Sequence, residues 1–140
     1  MNQIFDFHGT KMMIKASTSD TNGSHTIIHA IHPPNVGPAL HLHPRGSESF
    51  YIIEGEYKFV LGNKTLDAKK NDVVLVPKDT PHKFTTGTNG GTVLIISPPE
   101  LENYFIQVSE LLQKGTVTWN TESDIARKFG QVFLENTNHW

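Results

Sequence analysis

Between positions 26 and 96, apolar residues come in short runs cut by turn residues, the spacing of strands rather than helices. Residues 26–31 (TIIHAI) are β-branched, and His32-Pro33-Pro34 ends the run because proline offers no N–H to a ladder. Residues 49–53 and 57–61 flank Glu54-Gly55-Glu56, which predicts a tight hairpin. Gly62-Asn63-Lys64 predicts another turn, leading into Thr65 and Leu66. Residues 72–76 (DVVLV) are nearly continuously apolar and end at Pro77, as in a strand buried on both faces. Residues 82–85 and 92–96 read as two further strands joined through Gly87-Thr88-Asn89-Gly90-Gly91, which is expected to be the most flexible loop. Many short, evenly spaced strands predict an all-β barrel or two-sheet sandwich.

The period changes after Ser97-Pro98-Pro99. Leu101, Tyr104, Phe105, Val108, Leu111 and Leu112 fall at helical offsets. Glu100 and Glu102 are expected in the first turn, where the helix dipole favours acids, with Lys114 and Gly115 at the end. A shorter helix is predicted from Thr121, with Asp124 three residues on as a capping box, through Ile125 and Phe129 to Gly130. The apolar stripes of both helices should pack on the outside of the β-structure; the alternative is a lid over its mouth. No linker separates them, and 140 residues suit one domain, 1–140, with a real core.

Composition removes several function classes. Fourteen acids against twelve Lys and Arg give a formal charge of −2, and no basic run exceeds Lys69-Lys70, so a nucleic-acid partner has no electrostatic footprint. No apolar stretch approaches the roughly 18 to 20 residues that span a bilayer, and residues 1–10 lack a signal peptide's basic-then-apolar order. The expectation is a soluble cytoplasmic protein without a membrane partner. With no cysteine, disulfides, thiolate catalysis and Cys-type zinc or iron–sulfur sites are excluded, which leaves imidazole and carboxylate as the strong side-chain ligands.

Among those ligand types, four stand out. His41 and His43 are two apart, so a strand would point both imidazoles the same way. Pro44-Arg45-Gly46-Ser47 is a turn-rich tetrapeptide that can bring Glu48 back beside them, and His82 lies in a second segment further on. A buried carboxylate among three imidazoles would be costly without a compensating cation, so the conjunction suggests one metal site. His8, His25 and His139 read as solvated or hydrogen-bonded side chains; His29 and His32, at the first clear strand, could each line a cavity or face solvent.

The segment from Gly37-Pro38 through His41, His43 and Glu48, then six residues to Gly55, resembles the first signature of the cupin superfamily, His-x-His-x4-Glu-x6-Gly. Residues 77–82 (PKDTPH) resemble the second, Pro-x-Gly-x-x-His. The likeness runs from about residue 25 to 98, and the wider sequence is similar to the small quercetin dioxygenase-like monocupins. Departures are Asn35 and Asn71 at usual glycine positions, Asp79 for the glycine after Pro77, and Thr86 at the trailing Asn. Asn and Asp are the non-glycine residues best able to adopt positive φ, so Asn71 and Asp79 should make the same turns.

The resemblance implies a double-stranded β-helix, or jelly roll, with one or two C-terminal helices over about 100–130. It implies one divalent transition metal ion (Fe, Mn, Ni, Co, Cu or Zn) on His41, His43, Glu48 and His82, with open coordination positions. It also implies a metal-dependent, dioxygenase-like reaction on a small oxygenated molecule. A weakly held carboxylate can also accept a substrate proton, which would make Glu48 catalytic, and Phe50 and Ile52, which share its strand parity, are expected to form the cavity wall. The alternative is a non-catalytic module in which the metal holds the barrel together and the cavity captures a ligand. A sugar-nucleotide isomerase or epimerase fits less well, since such relatives usually lack the complete ligand set. A homodimer is expected, built by residues 12–16 (MMIKA) pairing as an edge strand with a partner's sheet.

Overall fold

Every second residue of the long strands points into one core, and that alternation explains most of the architecture. The computed structural model describes residues 3–136. His139 lies outside the described residues. The elements are β1 (Ile4–Phe7), β2 (Thr10–Ala16), β3 (Thr26–His32), β4 (His41–Leu42), β5 (Glu48–Leu61), β6 (Lys64–Lys69), β7 (Val73–Val76), β8 (His82–Ser97), α1 (Leu101–Lys114), α2 (Trp119–Lys128) and β9 (Val132–Phe133).

All strand pairs are antiparallel, and β5 and β8 run through both halves of the β-structure. Their halves near Glu48 and Ser97 pair with each other and extend outward through β7 on one side and β3, β2 and β1 on the other. Their opposite halves, Tyr57–Leu61 against His82–Thr86, extend through β6 on one side and β4 and β9 on the other. The result is the expected jelly-roll barrel, or double-stranded β-helix, with two helices following it.

Two expectations fail at the corner where β5 and β8 cross between halves. Glu54-Gly55-Glu56 is not a hairpin: β5 is one continuous 14-residue strand. Nor is 87–91 a flexible loop, since it is the middle of the 16-residue β8. The pairing Gly55↔Gly91 sits between two register shifts. These bulges change which parity faces inward, from Phe50 and Ile52 to Tyr57 and Phe59 in β5, so the strand turns the corner without exposing its apolar side. Glycine is needed there for close approach. A Cβ on Gly55, itself at φ 83°, would overlap the Gly90 carbonyl, and one on Gly91 would enter the Tyr57 ring.

The run at 72–76 is also not buried on both faces. In β7, Val74 and Val76 are buried while Val73 and Leu75 are 58% and 66% exposed, because this strand has a neighbour, β5, on only one side and a core on only one face. Residues 12–16 have both edges occupied, by β1 and β3, so they close their own sheet and are not a free edge strand. Asn71 and Asp79 do take positive φ, 77° and 63°, and Asn35 joins them at 58°. Thr86 is buried; its hydroxyl donates to the Pro33 carbonyl (2.8 Å) and accepts from the Val36 N–H (3.0 Å), pinning the segment that leads to His41.

The helices both pack on the barrel and reach toward its mouth. α1 buries Leu101, Tyr104, Phe105 and Val108, with Phe7 edge-on to Phe105 at 5.0 Å and to Tyr104 at 5.5 Å. Burial of each such side chain contributes about 1.5–3 kcal/mol. Glu100 is the N-cap rather than a first-turn residue, and Glu102 is buried, accepting from the Thr18 N–H (2.6 Å) and hydroxyl (2.8 Å). α2 starts two residues before Thr121, because the Thr118 side chain accepts from the Thr121 N–H and is the cap. Buried Glu122 accepts from the Tyr104 hydroxyl (2.7 Å) and pairs with His8 Nε2 (2.8 Å), which locks α2 to α1 and to the β1–β2 turn. Among the described residues, no helix is long and apolar enough to cross a membrane.

Candidate metal centre

His41 opens β4 and lies opposite His82, the first residue of β8, in the strand register. His43 shares the face of His41, and Glu48, first in β5, returns beside them after the 44–47 turn. The structure thus brings all four sequence-predicted residues together: one ligand-type atom from each lies within 4.8 Å of every other, and all four are buried, at 4% exposure or less.

Ring orientation follows from what the outer nitrogens contact. Nδ1 of His41 lies 2.7 Å from the Ala39 carbonyl, Nδ1 of His82 2.8 Å from that of Thr80, and Nδ1 of His43 3.2 Å from that of Gly130. Two rings are therefore held by the backbone two residues earlier, and the third by the far end of the chain. A nitrogen facing a carbonyl must carry the hydrogen, so in each neutral ring Nε2 is left with its lone pair.

Those lone pairs have acceptors in front of them. Nε2 of His43 and of His82 lie 3.2 and 3.1 Å from Glu48 Oε1, while Oε2 is occupied by the Ser97 hydroxyl at 2.7 Å. Neutral imidazoles facing a carboxylate at that distance repel, so the arrangement requires a proton or a cation at its centre. Burial opposes charge on Glu48, yet His43 and His82 hold its pKa well below the carboxylate range. Burial, then His82 and His43, push His41 well below the imidazole range. Burial also opposes protonation of His43, but the charge and hydrogen bond of Glu48 and the Gly130 carbonyl outweigh it and raise its pKa. The donor set therefore fits a divalent transition metal, with Ser97 and three carbonyls as the outer contacts that aim it.

A cupin domain model matches residues 28–97, 70 of the 140 residues. The chain belongs to the cupin family. An uncharacterized protein of Methanocaldococcus jannaschii, MJ1618, is 36% identical over 59 residues, 42% of this cupin and 47% of that relative, so the match spans about half of the relative's length. Among solved structures, KdgF from Halomonas sp. is similar with a TM-score of 0.63 at 17% identity, covering 72% of this chain and 90% of that one. The nucleoside dehydratase Pac13 of Streptomyces gives 0.57 at 20%, covering 73% and 80%. Oxalate decarboxylase of B. subtilis gives 0.62 at 16%, covering 73% of this cupin and 29% of the enzyme. At these identities the likeness is one of fold.

Beside the four residues is a cavity walled by Met12, Phe50, Phe84 and Phe105, with His32 and Gln131 as further polar groups. Its free volume is about 20 Å³, room for about one water. Phe50 takes its expected place on the wall, whereas Ile52, expected beside it, is fully buried in the core and does not line the cavity. His32 is the inward member of the pair left open by sequence; its Nδ1 meets the Tyr57 hydroxyl at 2.8 Å, and burial lowers its pKa to about 3 and raises that of Tyr57. His29 is half-buried on the opposite strand face. Larger grooves of about 690 and 760 Å³ lie on the surface and touch none of the four residues. Ser97, Gly130, Gln131 and Phe133, whose ring is 5.8 Å from that of His41, carry no motif; only the parity of Ser97 with Val93 and Ile95 marks it as inward-facing.

His82→Ala is expected to lower metal affinity about tenfold or more. His8→Ala, whose ring pairs with Glu122, should keep the wild-type metal content; equal content in the two variants, measured by elemental analysis after dialysis, would remove His82 from the site. Acid should expel the metal, because only the neutral ring binds. Ordinary imidazole titrates at about 6.5 and the Glu48 carboxylate raises His43 from there, so occupancy should fall as pH drops through and below that region, displaced downward by metal binding itself. Retention unchanged at about pH 4 in a chelator competition would contradict a histidine-rich site.

Proposed function

We propose that this cupin is a metal-dependent enzyme, dioxygenase-like in its chemistry, that acts on a small oxygenated and partly apolar molecule inside the barrel. His41, His43, Glu48 and His82 hold the metal. The observation that carries the reading is the convergence of two imidazole nitrogens and a carboxylate oxygen at 3.1–3.2 Å in a buried site, an arrangement that a cation completes once the rings are neutral. When bound, a divalent ion there supplies a Lewis-acidic centre with open positions for substrate oxygen and, if redox-active, for dioxygen. The protein's own part is to orient and to exclude water. Ser97 fixes one carboxylate oxygen so that Glu48 offers the other, which can also accept a substrate proton. The aromatic wall favours a flat or apolar body. Similarity to enzymes such as Pac13, which has been solved with uridine, and oxalate decarboxylase supports catalysis on a small molecule.

One observation favours a second reading, a non-catalytic module in which the metal secures the barrel: all four ligands are buried and the adjoining void is only about 20 Å³. The two separate on turnover. Protein purified without added metal and reconstituted with each first-row divalent ion should bind about one equivalent and consume dioxygen with a flavonol, diketone or catechol. No stoichiometric binding sinks both readings; tight ligand binding without oxygen uptake selects the module.

A homodimer belongs to the same proposal, now supported by a different surface. The outer face of the larger sheet is apolar across several strands: Ile27 lies opposite Ile96, Tyr51 opposite both Leu94 and Val73, and Ile31, Val73 and Leu75 are 47%, 58% and 66% exposed. Ser49 and His29 interrupt this face, but a largely apolar sheet face is what association covers. Light scattering should give the mass of two chains, and Leu75→Lys should shift it to one. A wild-type mass of one chain rejects the dimer.

A further inference from the structure

The cavity beside the ligands contains one polar side chain that the fold does not use. Gln131 is 2% exposed and lines the same void as His41 and Glu48. Its backbone N–H is spent on the Ala126 carbonyl at 2.8 Å, but its side-chain amide makes no hydrogen bond to any described residue. Among the described residues the side-chain atom that is both fully buried and unpaired is Thr10 Oγ1, so the Gln131 amide is not sealed off and keeps hydrogen-bonding capacity beside the void. His32, the other polar group on that wall, differs: its Nδ1 is already committed to Tyr57.

The surroundings of Gln131 fix its place. On one side Gly130 gives its carbonyl to His43; on the other, Phe133 lies opposite His41 in the strand register. The segment therefore runs beside the histidines with Gln131 lining the cavity, and it lies beyond residues 28–97, the part matched by the family model.

We propose that Gln131 is a substrate-binding residue. Its amide hydrogen-bonds an oxygen of a small molecule that lies against Glu48 and His41, and because the void holds only about one water such a molecule enters as Met12 and the aromatic wall shift. It therefore selects for carbonyl- or hydroxyl-bearing molecules over hydrocarbons of equal shape. The inference rests on the proposed open metal site, and the test separates the two.

The test uses the full chain loaded with cobalt(II), titrated with 4-nitrocatechol, which needs metal and cavity, and with azide, which needs the metal alone. Gln131→Met, similar in volume but without the amide, should weaken 4-nitrocatechol about five- to tenfold while leaving azide affinity and cobalt stoichiometry as in wild type. The metal-free variant should melt at about the wild-type temperature, since the substitution removes no hydrogen bond of the fold. Unchanged 4-nitrocatechol affinity, lost cobalt or a lower melting temperature overturns the role of Gln131 alone. If the wild-type protein holds cobalt but binds neither probe, the open site itself is wrong and the inference falls with it.

Discussion

Three imidazole rings turn their outer nitrogens to backbone carbonyls and so present lone pairs to a carboxylate in a dry interior. Much of the structure is arranged around that electrostatic problem. Ala39 and Thr80 each sit two residues before the ring they orient, an economical local solution, whereas His43 depends on Gly130 and Glu48 on Ser97. Concentrating acceptors this way is unfavourable for the empty fold and favourable for a bound cation, which is how a site trades stability for function.

The barrel makes the concentration possible. Histidines and acid come from the starts of β4, β5 and β8, so the antiparallel register delivers them to one end while Phe50, Phe59 and Phe84 fill the interior behind. β5 and β8 carry that register through a corner at Gly55 and Gly91, where backbones approach too closely for any side chain. Glutamate at the head of β5 and aromatics at its tail thus face one core despite the break in parity between them.

The four candidate ligands and the two helices were legible because they depend on local rules: alternation in a strand, a turn of defined length, helical period. Positive φ at Asn71 and Asp79 was legible for the same reason. What local rules misread were features decided by distant neighbours. Gly55 looks like a hairpin turn until Gly90 is seen behind it, and 87–91 looks flexible until β5 and the His32-Pro33 carbonyl region close around it. Val73 and Leu75 look buried until β7 proves to have a core on one face only. Ser97, Gly130 and Gln131 have ordinary identities; their roles come entirely from position, which chain order does not print.

The contact between Gly130 and His43 joins residues 87 positions apart. Synthesis runs from the N-terminus, so strands β1 to β8 and all four ligands are made before the carbonyl that orients one of them. Until residue 130 has been added, His43 lacks the carbonyl that sets its tautomer in the finished chain.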